Sequence, residues 1–111
     1  MKQTVAIKQP HLFRRAYAKG KSAVTPTVVL YARKNGQSFN RLGLTVGTKV
    51  GKATVRNRVR RRLKESYRLR EGTVKQGYDL VIVARTAAAE ARFALLDRHL
   101  ASLLKRLELL A

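Results

Sequence analysis

From Lys49 to Arg70 the chain places ten Lys or Arg residues and one acid, Glu65, in 22 positions. The run nonetheless has helical order. At about 100° per residue, Val55, Val59, Leu63 and Ser66 fall on one face, with Tyr67 at its edge. Asn57, Arg61, Lys64 and Arg68 fall opposite, with Arg60 beside them, and Arg56, Arg58 and Arg62 flank the apolar stripe. A helix over 53–70 can therefore seat one side on a sheet and present a row of donors on the other. An ordinary solvated helix interleaves Glu with Lys or Arg at four-residue spacing, whereas here almost every charge repels its neighbours. Something outside the helix must supply the negative charge.

The whole chain has the same imbalance, with 25 Lys+Arg against 6 Asp+Glu and a net charge of +19 over 111 residues. So large an excess destabilises a compact state unless a polyanion relieves it. Phosphate oxygens suit guanidinium forks, which bind them two at a time. A membrane-surface helix would need Trp or Phe on its apolar side, and this face offers Val and Leu. Apolar runs such as residues 80–84 are far short of the roughly 20 residues that span a bilayer. Residues 1–10 lack the apolar core of a secretion signal. The absence of Cys excludes a disulfide framework and thiolate metal sites. The expectation is a cytoplasmic nucleic-acid binder with no membrane partner. At 45% hydrophobic residues, the chain has material for a core and reads as one domain over residues 1–111.

Pro10 suits the first position of a helix, and Gly20 suits the left-handed residue that ends one. Between them Leu12, Phe13, Ala16 and Tyr17 recur at helical spacing. Strands are expected over 27–32, rich in β-branched and aromatic residues, and around Leu42, Leu44 and Val46, which alternate. Asn35-Gly36 between them predicts a tight hairpin. A further short strand is available near 22–24. The segment 78–84 reads as another strand. Phe93, Leu96, Leu100, Leu103, Leu107 and Leu110 predict a last helix over about 88–110, packed on the chain's own sheet because fewer than three heptads make a weak coiled coil. The order α-β-β-α-β-α, with the extra strand, defines an α+β class, an α/β sandwich of helices on one small mixed sheet.

Catalytic chemistry is hard to find. The six carboxylates, Glu65, Glu71, Asp79, Glu90, Asp97 and Glu108, form no evident metal-binding motif in sequence. His11 and His99 are far apart with no Cys, which disfavours zinc. The run 47–53 has glycines one residue too close for a phosphate loop, and Ala53 cannot supply the hydroxyl that holds magnesium. Neither a metal, a cofactor nor a small-molecule substrate is expected on the protein. Asn57 has two readings, an exposed filler or a directional contact to a base edge, a phosphate or a hydrated metal ion.

The run Lys49-Val50-Gly51-Lys52-Ala53-Thr54-Val55-Arg56-Asn57-Arg58-Val59-Arg60-Arg61-Arg62-Leu63-Lys64-Glu65-Ser66-Tyr67-Arg68 resembles the arginine-asparagine-arginine signature of the bacterial ribonuclease P protein subunit. Ordered flanks support the likeness: residues 11–20 with paired aromatics, 28–31, 41–46 and 78–85 each resemble the corresponding family segment. Thr48 stands where a basic residue is common and Lys52 where a small polar one is frequent, which moves a charge along the loop. The resemblance implies an unusual left-handed β-α-β crossover around the basic helix. It also implies a catalytic RNA partner that removes the 5′ leader from precursor tRNA, with magnesium held by that RNA. Carried over position by position, Lys49, Lys52, Arg56, Asn57, Arg58, Arg60, Arg61, Lys64 and Arg68 take the RNA-binding role. Phe13, Tyr17 and Tyr31 take a cleft that grips the leader. Aromatic faces stack on unpaired bases, but the same spacing also suits helix-to-sheet packing. The other readings are a ribosomal or other structural RNA-binding protein, a DNA-binding module, and a self-contained nuclease.

Overall fold

The computed structural model describes residues 3–111. Its elements are β1 (Thr4–Ala6), α1 (Pro10–Lys19), β2 (Lys21–Val24), β3 (Val28–Lys34), β4 (Asn40–Thr45), α2 (Ala53–Arg70), β5 (Tyr78–Ala84) and α3 (Phe93–Arg106). The five strands form one sheet in the order β1-β4-β5-β3-β2. β5 runs parallel to β4 and antiparallel to β3, so the strand formed last in sequence occupies the middle.

Alternation along β5 divides the core between the two faces. Leu80 and Ile82 point to one face, where they meet Val28, Leu30 and Leu42 of the sheet and the buried stripes of α2 and α3. That stripe on α2 is Val59, Leu63, Ser66 and Tyr67, as the wheel predicts. Val81 points to the other face, where it packs with Ile7, Leu12 and Ala16 under α1. The fold is thus a mixed sheet between one helix and two, and the basic helix α2 connects the adjacent parallel strands β4 and β5.

Four expectations need correction. The Asn35-Gly36 turn exists, with Gly36 at φ 74° and the Asn35 carbonyl oxygen of the side chain accepting from the Gln37 N–H at 2.8 Å, but it does not join neighbouring strands. β5 lies between β3 and β4, and the true hairpin is β2–β3. β1 is an additional strand, pairing in parallel with β4 through Thr4, Val5 and Ala6. The last helix is shorter than its leucine spacing suggests. It begins at Phe93 after a tight 3-10 turn over Thr86–Glu90 and ends at Arg106. Glu108 then takes φ 57°, which turns Leu109 back into the core and leaves Leu110 exposed.

The fourth concerns Gly20, which is extended (φ −79°, ψ 158°) rather than left-handed. It is required for space: a Cβ there would sit 2.5 Å from the Ala16 carbonyl oxygen and 3.0 Å from that of Ala32. A buried polar set ties β1 to the rest of the molecule. The Thr4 and Tyr67 hydroxyls meet at 2.9 Å, and the Asn40 side-chain N–H donates to the Lys75 carbonyl at 2.9 Å. Burial pushes the Tyr67 phenol above its ordinary pKa, so it remains a neutral hydroxyl able to donate.

Candidate nucleic-acid interface

The basic residues of α2 separate by where their heads end. Arg58 donates from Nη2 to the Ala89 carbonyl at 2.9 Å, and Arg62 donates from Nη1 to the Ala91 carbonyl at 2.8 Å. Both carbonyls belong to the segment leading into α3, so these side chains lace α2 to its neighbour. The Arg58 Nε is buried with no hydrogen-bond partner, so this guanidinium, held through its Nη2, is turned into the protein rather than out to solvent. Arg70 grips Asp97 through two bonds at 3.1 and 2.7 Å, and the Ser66 hydroxyl adds a third to the same carboxylate at 2.6 Å. Burial raises the Asp97 pKa, but the hydrogen bonds from Arg70 and Ser66 and the Arg70 charge outweigh it and hold the carboxyl below its ordinary value. Arg56 donates from Nε to the Gly51 carbonyl at 3.1 Å, bracing the loop before the helix.

On the outer side, Arg60 donates to the Asn57 side-chain oxygen at 3.2 Å, which orients that amide. Arg68 forms a fork on Glu65 at 2.9 and 2.5 Å. The Arg68 hydrogen bond holds the exposed Glu65 carboxyl below its ordinary pKa despite slight opposing desolvation. Lys49, Lys52, Arg61 and Lys64 are exposed and make no side-chain hydrogen bond or ion pair among the described residues. These four are the uncommitted cations of the motif.

The three aromatic candidates share the α1 face of the sheet. Phe13 rests on β4 at Gly43, where an added Cβ would lie 2.5 Å from a ring carbon. Tyr17, 41% exposed, shares a hydrogen bond with the Thr45 hydroxyl at 2.8 Å. Its ring stands edge-on to Tyr31 with centroids 5.0 Å apart and planes at 77°. Tyr17 therefore bridges β4 and β3 across Val83 of β5, and the three rings make a half-open floor rather than a sealed core.

One cavity joins this floor to the cations, and a second adjoins it at Thr45, the hydrogen-bond partner of Tyr17. The first, about 250 Å³, is lined by Phe13, Gly43 and Leu44 together with Arg60 and Lys64 of α2. The second, about 650 Å³, runs from Thr45 and Val83 to Lys49 and Arg85. The basic helix and the aromatic floor are thus two parts of one connected surface. Gly43, Thr45, Val83 and Arg85 were not among the sequence candidates. Gly43 alone carried a signal, since glycine within a strand marks a site of close approach.

A mixed sheet with aromatic rings on one face, opening at its edges onto unpaired lysines and arginines, defines a nucleic-acid-binding protein of the α/β sandwich class. The ribonuclease P family model matches residues 1–108. The ribonuclease P protein component of Alkaliphilus oremlandii is 41% identical over 110 residues, covering 99% of this chain and 96% of that one. The Clostridioides difficile component is 41% identical over 108 residues, covering 96% and 95%. Among solved structures, the Staphylococcus aureus RNase P protein superposes with a TM-score of 0.88 at 27% identity, covering 96% of this chain and 97% of that one. The Thermotoga maritima RNase P protein gives 0.83 at 32% identity, covering 91% and 96%. The chain belongs to the ribonuclease P protein family. It is accordingly a subunit of the endoribonuclease that matures the 5′ end of precursor tRNA, with an RNA partner. Among the described residues no helix is long and apolar enough to cross a membrane.

Proposed function

We propose that the chain binds the catalytic RNA of ribonuclease P through its basic helix and holds the 5′ leader of precursor tRNA on its aromatic floor. Lys49, Lys52, Arg61 and Lys64 carry most of the electrostatic contact, because their charges are committed to nothing else. Arg60 and Asn57 act as a pre-oriented pair, Arg56 and Arg68 contribute the N–H groups left over from their internal bonds, and Arg58 chiefly braces the helix that presents them. Phe13, Tyr17 and Tyr31 stack on unpaired leader bases, each stack worth roughly 1–3 kcal/mol. The continuity between rings and cations supports this reading most strongly, since one RNA strand leaving the floor would meet Lys64 at one exit or Lys49 at the other.

Magnesium belongs to the partner RNA in this reading and supplies the hydrolytic chemistry there. The chain's own part is to screen phosphate repulsion, so that substrate and metal bind at lower ionic cost, and to fix the leader. The cell compartment is the cytoplasm, where precursor tRNA is processed. Reconstitution tests the whole reading: the chain is added to catalytic RNA and leader-bearing tRNA at reduced magnesium. Cleavage should accelerate relative to the RNA alone. Cleavage by the chain without any added RNA would establish a self-contained nuclease instead. No acceleration, together with co-sedimentation with ribosomes, would establish a structural RNA-binding protein.

A further inference from the structure

A second cationic site lies away from the basic helix. Lys19 ends α1, Lys21 opens β2, Arg33 and Lys34 end β3, and Lys75 precedes β5, yet all five line one cavity of about 360 Å³. Its floor is apolar, made by Ala32 with Leu107 and Leu109, and Tyr78 forms a wall. Glu108 is the only carboxylate there. None of the five cations forms an ion pair or side-chain hydrogen bond among the described residues. A neighbouring cavity of about 510 Å³ shares Lys34, Lys75 and Tyr78 and continues past Gly36 and Gln37. The two make a track with cations along its rim and an aromatic side chain at the junction.

This track lies at the opposite end of the sheet from the loop that bears Lys49, and it starts two residues beyond Tyr17 and Tyr31, at Lys19 and Arg33. Thr45 pairs with Val83 at the carboxyl ends of the parallel strands β4 and β5, and the loop bearing Lys49 follows from there. Lys34 pairs with Tyr78 at the other end of β5. Tyr78 and Val83 stand five residues apart along β5, roughly 17 Å at about 3.3 Å per residue. Convergence of five like charges from four separate segments, against the single carboxylate of Glu108, raises the energy of the free fold, and a polyanion would relieve it.

We propose that this track binds a single-stranded RNA segment, so that the protein holds RNA at two opposite ends of its sheet at once. The proposal rests on the RNA-binding reading of the family site. A cavity of this size excludes a duplex but admits an unpaired nucleotide, with its base against Tyr78 and the aliphatic floor and its phosphates on the lysines. The two adjoining cavities, one reaching Lys19 and Lys21 and the other continuing past Gly36 and Gln37, extend further than one small anion would fill.

The test uses the full chain, the catalytic RNA and an oligouridylate, with affinity measured against salt. The variant K21Q/K34Q/K75Q keeps the side-chain stems while removing three charges, and R92Q/R98Q/K105Q is its charge-matched control on an exposed face. A third variant, K49Q/K52Q/K64Q, reports on the family site. The track variant should lower the salt slope by about 2 and weaken catalytic-RNA binding roughly tenfold to hundredfold, with the control changing far less. Equal losses in track and control variants would overturn the second site while the family-site variant still shows its own loss. If the family-site variant also binds like wild type, the RNA-binding reading itself fails. Pyrophosphate that raises thermal stability through these lysines, with RNA affinity unchanged by K21Q/K34Q/K75Q, would reassign the track to a small polyphosphate.

Discussion

On α2, Arg58, Arg62 and Arg70 end on protein oxygens, whereas Arg61 and Lys64 on the same helix end on none. Residue type does not separate the two groups. Their position around the apolar stripe does: side chains beside Val59, Leu63 and Ser66 reach the carbonyls and carboxylate of the α3 side, and those opposite reach solvent. The helix therefore uses one chemistry for two purposes, cohesion inward and recognition outward. A run of arginines is not a uniform surface.

The largest effect expected of breaking this division is on stability. Arg58→Ala with Arg62→Ala strips the donors from the Ala89 and Ala91 carbonyls and should cost about 3 kcal/mol, at about 1.5 kcal/mol for each charged hydrogen bond. Urea unfolding measures it, and a loss no greater than that of an outer-face pair would erase the distinction. Arg61→Ala with Lys64→Ala should leave the urea midpoint nearly unchanged. It should weaken RNA binding by tens of fold and lower the salt slope by about 2. An unaltered slope would remove this face from the RNA interface. Phe13→Ala should reduce the preference for precursor over mature tRNA roughly tenfold, from the loss of a stacking platform. Equal weakening of both substrates would place the leader elsewhere.

The smallest effect sharpens the inward side through pH. Asp97 has a folded pKa below its ordinary value of 3.8, so its link to Arg70 and Ser66 stabilises the fold above that value. The contribution is lost as pH falls through the lower folded value. Asp97→Asn should therefore be less stable than wild type at neutral pH, and the gap in urea midpoints should close on acidification. A gap that stayed constant down to the acid limit would mean that the carboxylate charge does not matter there.

Much of this was legible because it is local. The buried stripe of α2, the strand over 78–84 and the aromatic pair on the first helix all follow from side-chain periodicity, which neighbours in sequence determine. What was not legible depends on distant partners. The Asn35-Gly36 signal describes a turn correctly, yet nothing within ten residues indicates that β5 will enter between the strands it connects. β1 has three residues and no independent pattern, and it exists because β4 offers an edge and Tyr67 a hydrogen bond. The leucine spacing runs on through Leu107 and Leu110 although the helix stops, because Leu109 finds the core only if the chain reverses at Glu108. The tasks of Arg58 and Arg62 depend on carbonyls about thirty positions away. Phe13, Tyr17 and Tyr31 lie on one face of the sheet, and Phe13 has its seat at Gly43, whose role depends on a ring thirty residues away.

The central place of β5 also bears on biosynthesis. A ribosome releases β3, β4 and the basic helix before it releases Tyr78–Ala84. Until that segment emerges, β3 and β4 have no common hydrogen-bonding neighbour, and the apolar side of α2 has only part of its seat. The nascent chain thus displays its densest positive charge while still unable to close its sheet. Assembly of this subunit is set by its last third, which works as a keystone slid between two waiting edges.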